Sequence, residues 1–188
     1  MAFNLPNLLT WQRILAIPLL VCVYMLPFDA WGEPSRNLWA TVIFIVASLT
    51  DWLDGWLARR LGQQTELGAF LDPVADKLLV CVALVMLLDL DRINAGIAII
   101  IIGREITISA LREWMASIGA RKSVAVNWMG KVKTAVQMVA IPLLLYHDPI
   151  GQFDWGSWMI TLAAIQTFIS MVYYLKQAWP QLQGRSGA

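Results

Sequence analysis

Six long apolar stretches, at residues 8–27, 37–60, 72–90, 93–116, 129–147 and 156–178, take up most of the 188-residue chain. Each is close to the roughly 20 residues that an α-helix needs to cross the hydrocarbon core of a bilayer. The breaks between them are short and carry Pro, Gly or charge, the residues that end helices and form tight connections. The predicted fold is therefore all-α, a polytopic membrane bundle of about six transmembrane helices forming a single domain over residues 1–188. Composition agrees, because charged residues make up 14% of the chain against about 25% in an ordinary soluble domain. Too little chain lies outside the stretches for a separate soluble catalytic domain. The tail after Trp179 is expected to be loosely ordered.

Arg13 interrupts the first apolar stretch and no small-x-small cleavage pattern follows Pro27, so this stretch is read as a retained span rather than a signal peptide. Cys22 and Cys81 lie inside apolar stretches and are expected to be reduced core residues, with neither a disulfide nor a thiol metal site. Basic residues give the orientation, since short cytoplasmic segments hold the excess of Lys and Arg. Arg59, Arg60, Arg121, Lys122, Lys176 and Arg185 fall on one side; the opposite loops hold only Arg36 and Arg92 among several acids. Both termini are therefore expected in the cytoplasm. Trp31, Trp39, Trp155, Trp158 and His147 lie near span ends and read as interfacial anchors.

Four carboxylates break this apolar pattern. Asp51 and Asp54 lie at the cytoplasmic end of the second span, and Asp72 and Asp76 at the start of the third. A charged Asp at the centre of a spanning helix costs about 2.5–3.5 kcal/mol on insertion scales, so such residues face polar cavities and mark function. Residues three or four apart share a helix face, and a short polar connection brings the two pairs to one level of the membrane. Four carboxylates so gathered need neutralising. Hard oxygen ligands suit Mg²⁺ or Mn²⁺, and two ions would fit such a set. Any one of these acids could simply pair with a nearby Arg or Lys at the membrane surface, but that does not account for all four. Gly55 and Gly68 let helix backbones approach a bulky ligand, and the planar guanidinium of Arg59 suits a pyrophosphate.

Asp51, Asp54, Gly55, Ala58, Arg59, Gly68, Asp72 and Asp76 reproduce the pattern D-x2-D-G-x2-A-R-x8-G-x3-D-x3-D. In this the chain resembles the CDP-alcohol phosphatidyltransferase family. The resemblance implies that Asp51, Asp54, Asp72 and Asp76 bind two metal ions and that Asp76 also serves as the base. It further implies that Gly55, Arg59, Thr65 and Gly68 hold the nucleotide of a CDP-activated lipid. The attacking alcohol would displace CMP directly, in a sequential mechanism.

A second polar set follows: Arg104, Glu105, Ser109, Arg112 and Glu113 in the fourth span, then Lys131, Lys133 and Thr134 at the start of the fifth. The first four named fall on roughly one helical stripe. Basic residues so grouped suit a phosphorylated co-substrate, although Arg104 with Glu105 and Arg112 with Glu113 could instead pair at the interface. The stretches Asn4–Thr10 with Arg13, Arg104–Trp114 and Gly130–Thr134 resemble the bacterial branch of the family whose acceptor is sn-glycerol 3-phosphate. That likeness implies CDP-diacylglycerol as donor, with Asn7 and Thr10 near the nucleotide and Arg104, Arg112, Lys131 and Lys133 at the acceptor phosphate. It also implies a homodimer among the lipids of the bacterial inner membrane, with its active site facing the cytoplasm and no nucleic-acid partner. Two alternatives stay open at this point: a related transferase using an inositol phosphate or serine, and an ion channel or divalent-metal transporter.

Overall fold

The computed structural model describes residues 5–25, 32–61, 66–118, 128–147 and 154–183, with side chains described for 11–25, 32–50, 71–118, 134–147 and 154–179. They form six α-helices: α1 (Leu5–Met25), α2 (Gly32–Leu61), α3 (Glu66–Asp89), α4 (Ala95–Ser117), α5 (Trp128–Tyr146) and α6 (Trp155–Gln183). Among the described residues there is no strand. The order is the one expected from the apolar stretches, but three boundaries differ.

Helix α2 starts at Gly32 rather than at residue 37, where hydropathy places the span. Its first turns, Gly-Glu-Pro-Ser-Arg, are polar yet suited to a helix start: Glu33 complements the dipole, and Pro34 needs no donor there. Gly32 itself has φ +55°, a left-handed conformation that a side chain would strain. Helix α3 starts at Glu66, so that Gly68 and the residues up to Leu71 are helical rather than part of a loop. Helix α6 runs on to Gln183, which corrects the expectation of a loose tail directly after Trp179. In each case hydropathy delimits the stretch that lipid would tolerate, and a hydrogen-bonded helix can outrun it.

The helix ends are specific. At the end of α3 the Arg92 N–H donates to the Leu87 carbonyl at 2.9 Å and the Asp91 N–H to the Leu88 carbonyl at 3.1 Å. With Asp91 at φ 54° this is a Schellman cap. Asn94 then opens α4, its side-chain oxygen accepting the Ile97 N–H at 3.0 Å. His147, also at φ 54°, closes α5 through its N–H to the Leu143 carbonyl at 3.1 Å.

The helices gather into two compact units. One is drawn from Met1–Arg92 and Ile141–Asp154, the other from Ile93–Ala140 and Trp155–Ala188. In the first, α1 packs on α2 and α3, and α2 packs on α3. Small and large residues alternate on the buried stripes, Ala40, Phe44 and Ala47 on α2 and Ala75, Leu79, Ala83 and Leu87 on α3, which allows close helix approach. In the second unit α4 packs on α6. Buried there are Ile101, Arg104, Ile108 and Met115 of α4, and Ala163, Thr167, Ser170, Tyr174 and Ala178 of α6.

Large apolar side chains also cover the outside. Leu15 is 66% exposed and Ile99 70%, and Val46, Leu49, Ile106, Leu162, Ile165, Phe168 and Ile169 are exposed as well. Among the described residues one helix, Trp155–Trp179, is long and apolar enough to cross a membrane. No disulfide joins the two cysteines, and both depart from the expected core placement: Cys22 is exposed and Cys81 half-buried. Cys22 is on the outward face of its apolar stretch, beside an apolar groove of about 540 Å³ between α1 and α2.

Candidate active site

Asp51 and Asp54 are helical residues in the last turns of α2, and Asp72 and Asp76 lie in the first turns of α3. Spacings of three and four put each pair on one helix face, and the two helices pack against each other in one unit. The connection between them shrinks to residues 62–65. Asp72 and Asp76 are half-buried. The side chains of Asp51, Asp54, Gly55, Arg59 and Gly68 lie outside the described residues, as do those of Asn7 and Thr10 on α1; Thr65 lies outside them altogether. Among the described residues no three His, Cys, Asp or Glu side chains gather into a metal site, and only half of the acidic quartet is among those described. The donor set itself fits a hard divalent cation, being carboxylate oxygen throughout. Pro73, directly after Asp72, has no N–H to give the carbonyl one turn back, so one backbone hydrogen bond is missing from α3 at this level.

One residue of this region carries more than the sequence reading assigned to it. Arg13 is fully buried in α1, the helix that packs on both aspartate-bearing helices. A buried guanidinium needs anionic or carbonyl partners, and it supplies a positive charge to the unit that carries the acidic quartet. Its presence in an apolar stretch was the available signal.

The second polar set lies in the other unit. Arg104 and Arg112, with Ile108 between them, lie on the α4 stripe that faces α6, and Glu105 and Ser109 flank it, half-buried. The structure separates the two arginines. Arg104, 5% exposed, donates from Nη1 to Glu105 Oε1 at 2.9 Å. Arg112 has its guanidinium carbon 5.8 Å from the ring centroid of Tyr174 on α6. Glu113 is exposed, and no ion pair joins it to Arg112 among the described residues. The interfacial pairing considered for both is thus found for Arg104 alone. Lys131 and Lys133 are in the first turns of α5, with side chains outside the described residues.

The chain matches the CDP-alcohol phosphatidyltransferase family model over residues 3–172 and belongs to that family, one of membrane-embedded, divalent-metal-dependent enzymes. Among its relatives is the CDP-diacylglycerol--glycerol-3-phosphate 3-phosphatidyltransferase of Salmonella choleraesuis (strain SC-B67), 49% identical over 181 residues, which are 95% of this chain and 96% of the relative. The protein of the same name from Escherichia coli (strain K12) is 48% identical over the same shares.

Proposed function

We propose that this chain transfers the phosphatidyl group of CDP-diacylglycerol to sn-glycerol 3-phosphate, giving phosphatidylglycerol phosphate and CMP in phospholipid biosynthesis. The observation that carries this reading is near full-length similarity to enzymes of that name, in a chain whose complete eight-residue signature lies on two packed helices.

In this reading Asp51, Asp54, Asp72 and Asp76 hold divalent cations, Mg²⁺ or Mn²⁺ and two in number. Bound there, the cations supply charge neutralisation to the donor pyrophosphate, which makes CMP a good leaving group. Asn7, Thr10, Gly55, Arg59, Thr65 and Gly68 bind the CDP portion. Arg104, Arg112, Lys131 and Lys133 bind the acceptor phosphate by charge-assisted hydrogen bonds. Asp76 takes the proton from the free primary hydroxyl of the acceptor as its oxygen attacks the phosphorus bearing the diacylglycerol. The bond from that phosphorus to the CMP oxygen breaks, and CMP departs.

The same reading makes the chain a multi-pass protein of the bacterial inner membrane, a single domain and a homodimer, with its active site on the cytoplasmic side. Rows of exposed Leu, Ile, Val and Phe support a lipid environment, because water-soluble monomers rarely expose large contiguous apolar patches. The test is CMP release by the purified protein with CDP-diacylglycerol, Mg²⁺ and a panel of alcohols. Turnover should require glycerol 3-phosphate. A preference for an inositol phosphate or serine would overturn the acceptor assignment, and no CMP release with any alcohol would overturn the enzyme.

A further inference from the structure

Arg112 and Tyr174 form a pairing that the reaction outlined above leaves unexplained. Tyr174 is 2% exposed, in a cluster with Ile108, Met115 and Ala178, and Leu111, Trp114 and Met171 pack on it. The rings of Tyr173 and Tyr174 meet in a T-shaped contact, with centroids 5.8 Å apart and planes 74° from parallel. A ring so enclosed is held in one orientation. Over it lies the Arg112 guanidinium, whose carbon is 5.8 Å from the ring centroid, inside the roughly 6 Å range of a cation–π contact.

What surrounds this guanidinium matters as much. Arg112 Nε is buried with no hydrogen-bond partner among the described residues. The adjacent Glu113 points to the exposed face, and no ion pair to Arg112 is found among the described residues. Arg104, on the same stripe, is paired with a carboxylate at 2.9 Å. A carboxylate partner would neutralise a guanidinium and occupy its N–H groups. An aromatic ring attracts the cation through its quadrupole without accepting those N–H bonds, so the full charge and the donor edges stay available to a planar or tetrahedral anion.

Resting on the reading of Arg112 as a ligand of the acceptor phosphate, we propose that Tyr174 is the positioning residue of that ligand: its enclosed ring holds the Arg112 guanidinium oriented and un-neutralised for the phosphate of glycerol 3-phosphate. The ring, rather than the hydroxyl, performs this task, and it acts on acceptor binding rather than on the donor lipid.

The experiment is steady-state kinetics on the full-length enzyme with each substrate varied in turn, for Tyr174→Leu, Tyr174→Phe, Arg112→Ala and the double variant Arg112→Ala/Tyr174→Leu. Loss of a cation–π contact predicts that Tyr174→Leu raises the KM for glycerol 3-phosphate about 3- to 30-fold, with the KM for CDP-diacylglycerol unchanged. Tyr174→Phe should restore the acceptor KM to within about twofold of the parent. Added to Arg112→Ala, Tyr174→Leu should raise the acceptor KM no further. Should Tyr174→Leu fail to fold, progressively fluorinated phenylalanine at position 174 keeps the shape of the ring while weakening its quadrupole. The acceptor KM should then climb with fluorination at constant thermal stability. Equal increases in both KM values, additivity with Arg112→Ala, a Tyr174→Phe variant as impaired as Tyr174→Leu, or indifference to fluorination would each overturn the role of Tyr174. If Arg112→Ala itself leaves the acceptor KM unchanged, the assignment of Arg112 fails first. If Arg112→Ala raises it and the Tyr174 series does not, only the positioning role is lost.

Discussion

Arg92 is expected to hold one end of the first unit together, and its removal should be visible as lost stability rather than lost chemistry. Its backbone closes the α3 cap, while its side chain reaches two other helices. Nη1 donates to the carbonyls of Leu144 at 3.1 Å and Leu145 at 2.7 Å, at the C-terminus of α5. Nη2 donates to Asn37 Oδ1 on α2 at 2.8 Å, an oxygen that also accepts from the Tyr24 hydroxyl of α1 at 3.2 Å. Terminal carbonyls have no intrahelical partner, and a cation there also meets the negative end of the helix dipole. Hydrogen bonds to a charged group are each worth about 1.5–3 kcal/mol. The three share one guanidinium that is only half-buried, and water can replace part of what is lost, so they do not sum. A net cost of about 3 kcal/mol is expected for Arg92→Ala, at the upper end of ordinary single substitutions. At roughly 2–4 °C per kcal/mol for a chain of this size, Tm should fall by about 6–12 °C. Arg92→Lys should recover less than half, since one ammonium cannot span the two α5 carbonyls and Asn37. The assay is thermal unfolding of the purified protein in one detergent, with CMP release measured well below Tm, where turnover should stay within about twofold of the parent. A Tm for Arg92→Ala within about 2 °C of the parent would refute the reasoning.

Three further outcomes are expected. Asp76→Asn should lower turnover by the roughly 10²- to 10⁴-fold that follows loss of a general base, with the fold intact, and parental turnover at saturating Mg²⁺ would remove Asp76 from the mechanism. Arg112→Ala should reduce kcat/KM for glycerol 3-phosphate by roughly 10- to 150-fold, the equivalent of one charged hydrogen bond, and Arg112→Lys should recover only part; a change confined to the KM for CDP-diacylglycerol would contradict the assignment. A single cysteine near Gln63, with Cys22 and Cys81 replaced, should react with an impermeant thiol reagent only once the cytoplasmic face is opened, and labelling of intact cells would reverse the orientation.

Helix number and order were legible because a spanning helix must present about 20 apolar residues in a row, and all six helices overlie such stretches. The ends were less legible, because Glu66–Leu71 and Gly32–Arg36 form helix where hydropathy reports only the approach of polar chain. The aspartates stand out because four acids within and beside apolar helices demand a physical account. Arg13 carried the same signal, but a sequence says only that a charge interrupts a stretch, not that packing buries it completely. The cluster of Tyr24, Asn37 and Arg92 left no such trace. It joins Asn37 to a side chain 55 residues away, and its residues look like ordinary occupants of span ends and loops.

The two Arg-Glu dipeptides of α4 show most directly where sequence stops and structure begins. Arg104-Glu105 and Arg112-Glu113 are the same pair of residues on the same helix, two turns apart, and nothing local distinguishes them. Adjacent residues on a helix do not face each other, so an ion pair within such a dipeptide forms only if the surroundings turn both side chains the same way. Eight residues advance the helix by about 80° beyond two full turns, enough to carry Glu113 onto the exposed face while Glu105, 19% exposed in its side chain, stays beside its arginine. The phase of the helix thus quenches one guanidinium and leaves the other charged over the Tyr174 ring. A phosphate that enters a low-dielectric site gains most from a cation that has not already been neutralised. Of the two arginines proposed for the acceptor phosphate, Arg112 is therefore the one whose loss should fall more heavily on acceptor binding, while loss of Arg104, paired with Glu105 and buried, should also disturb the packing of α4.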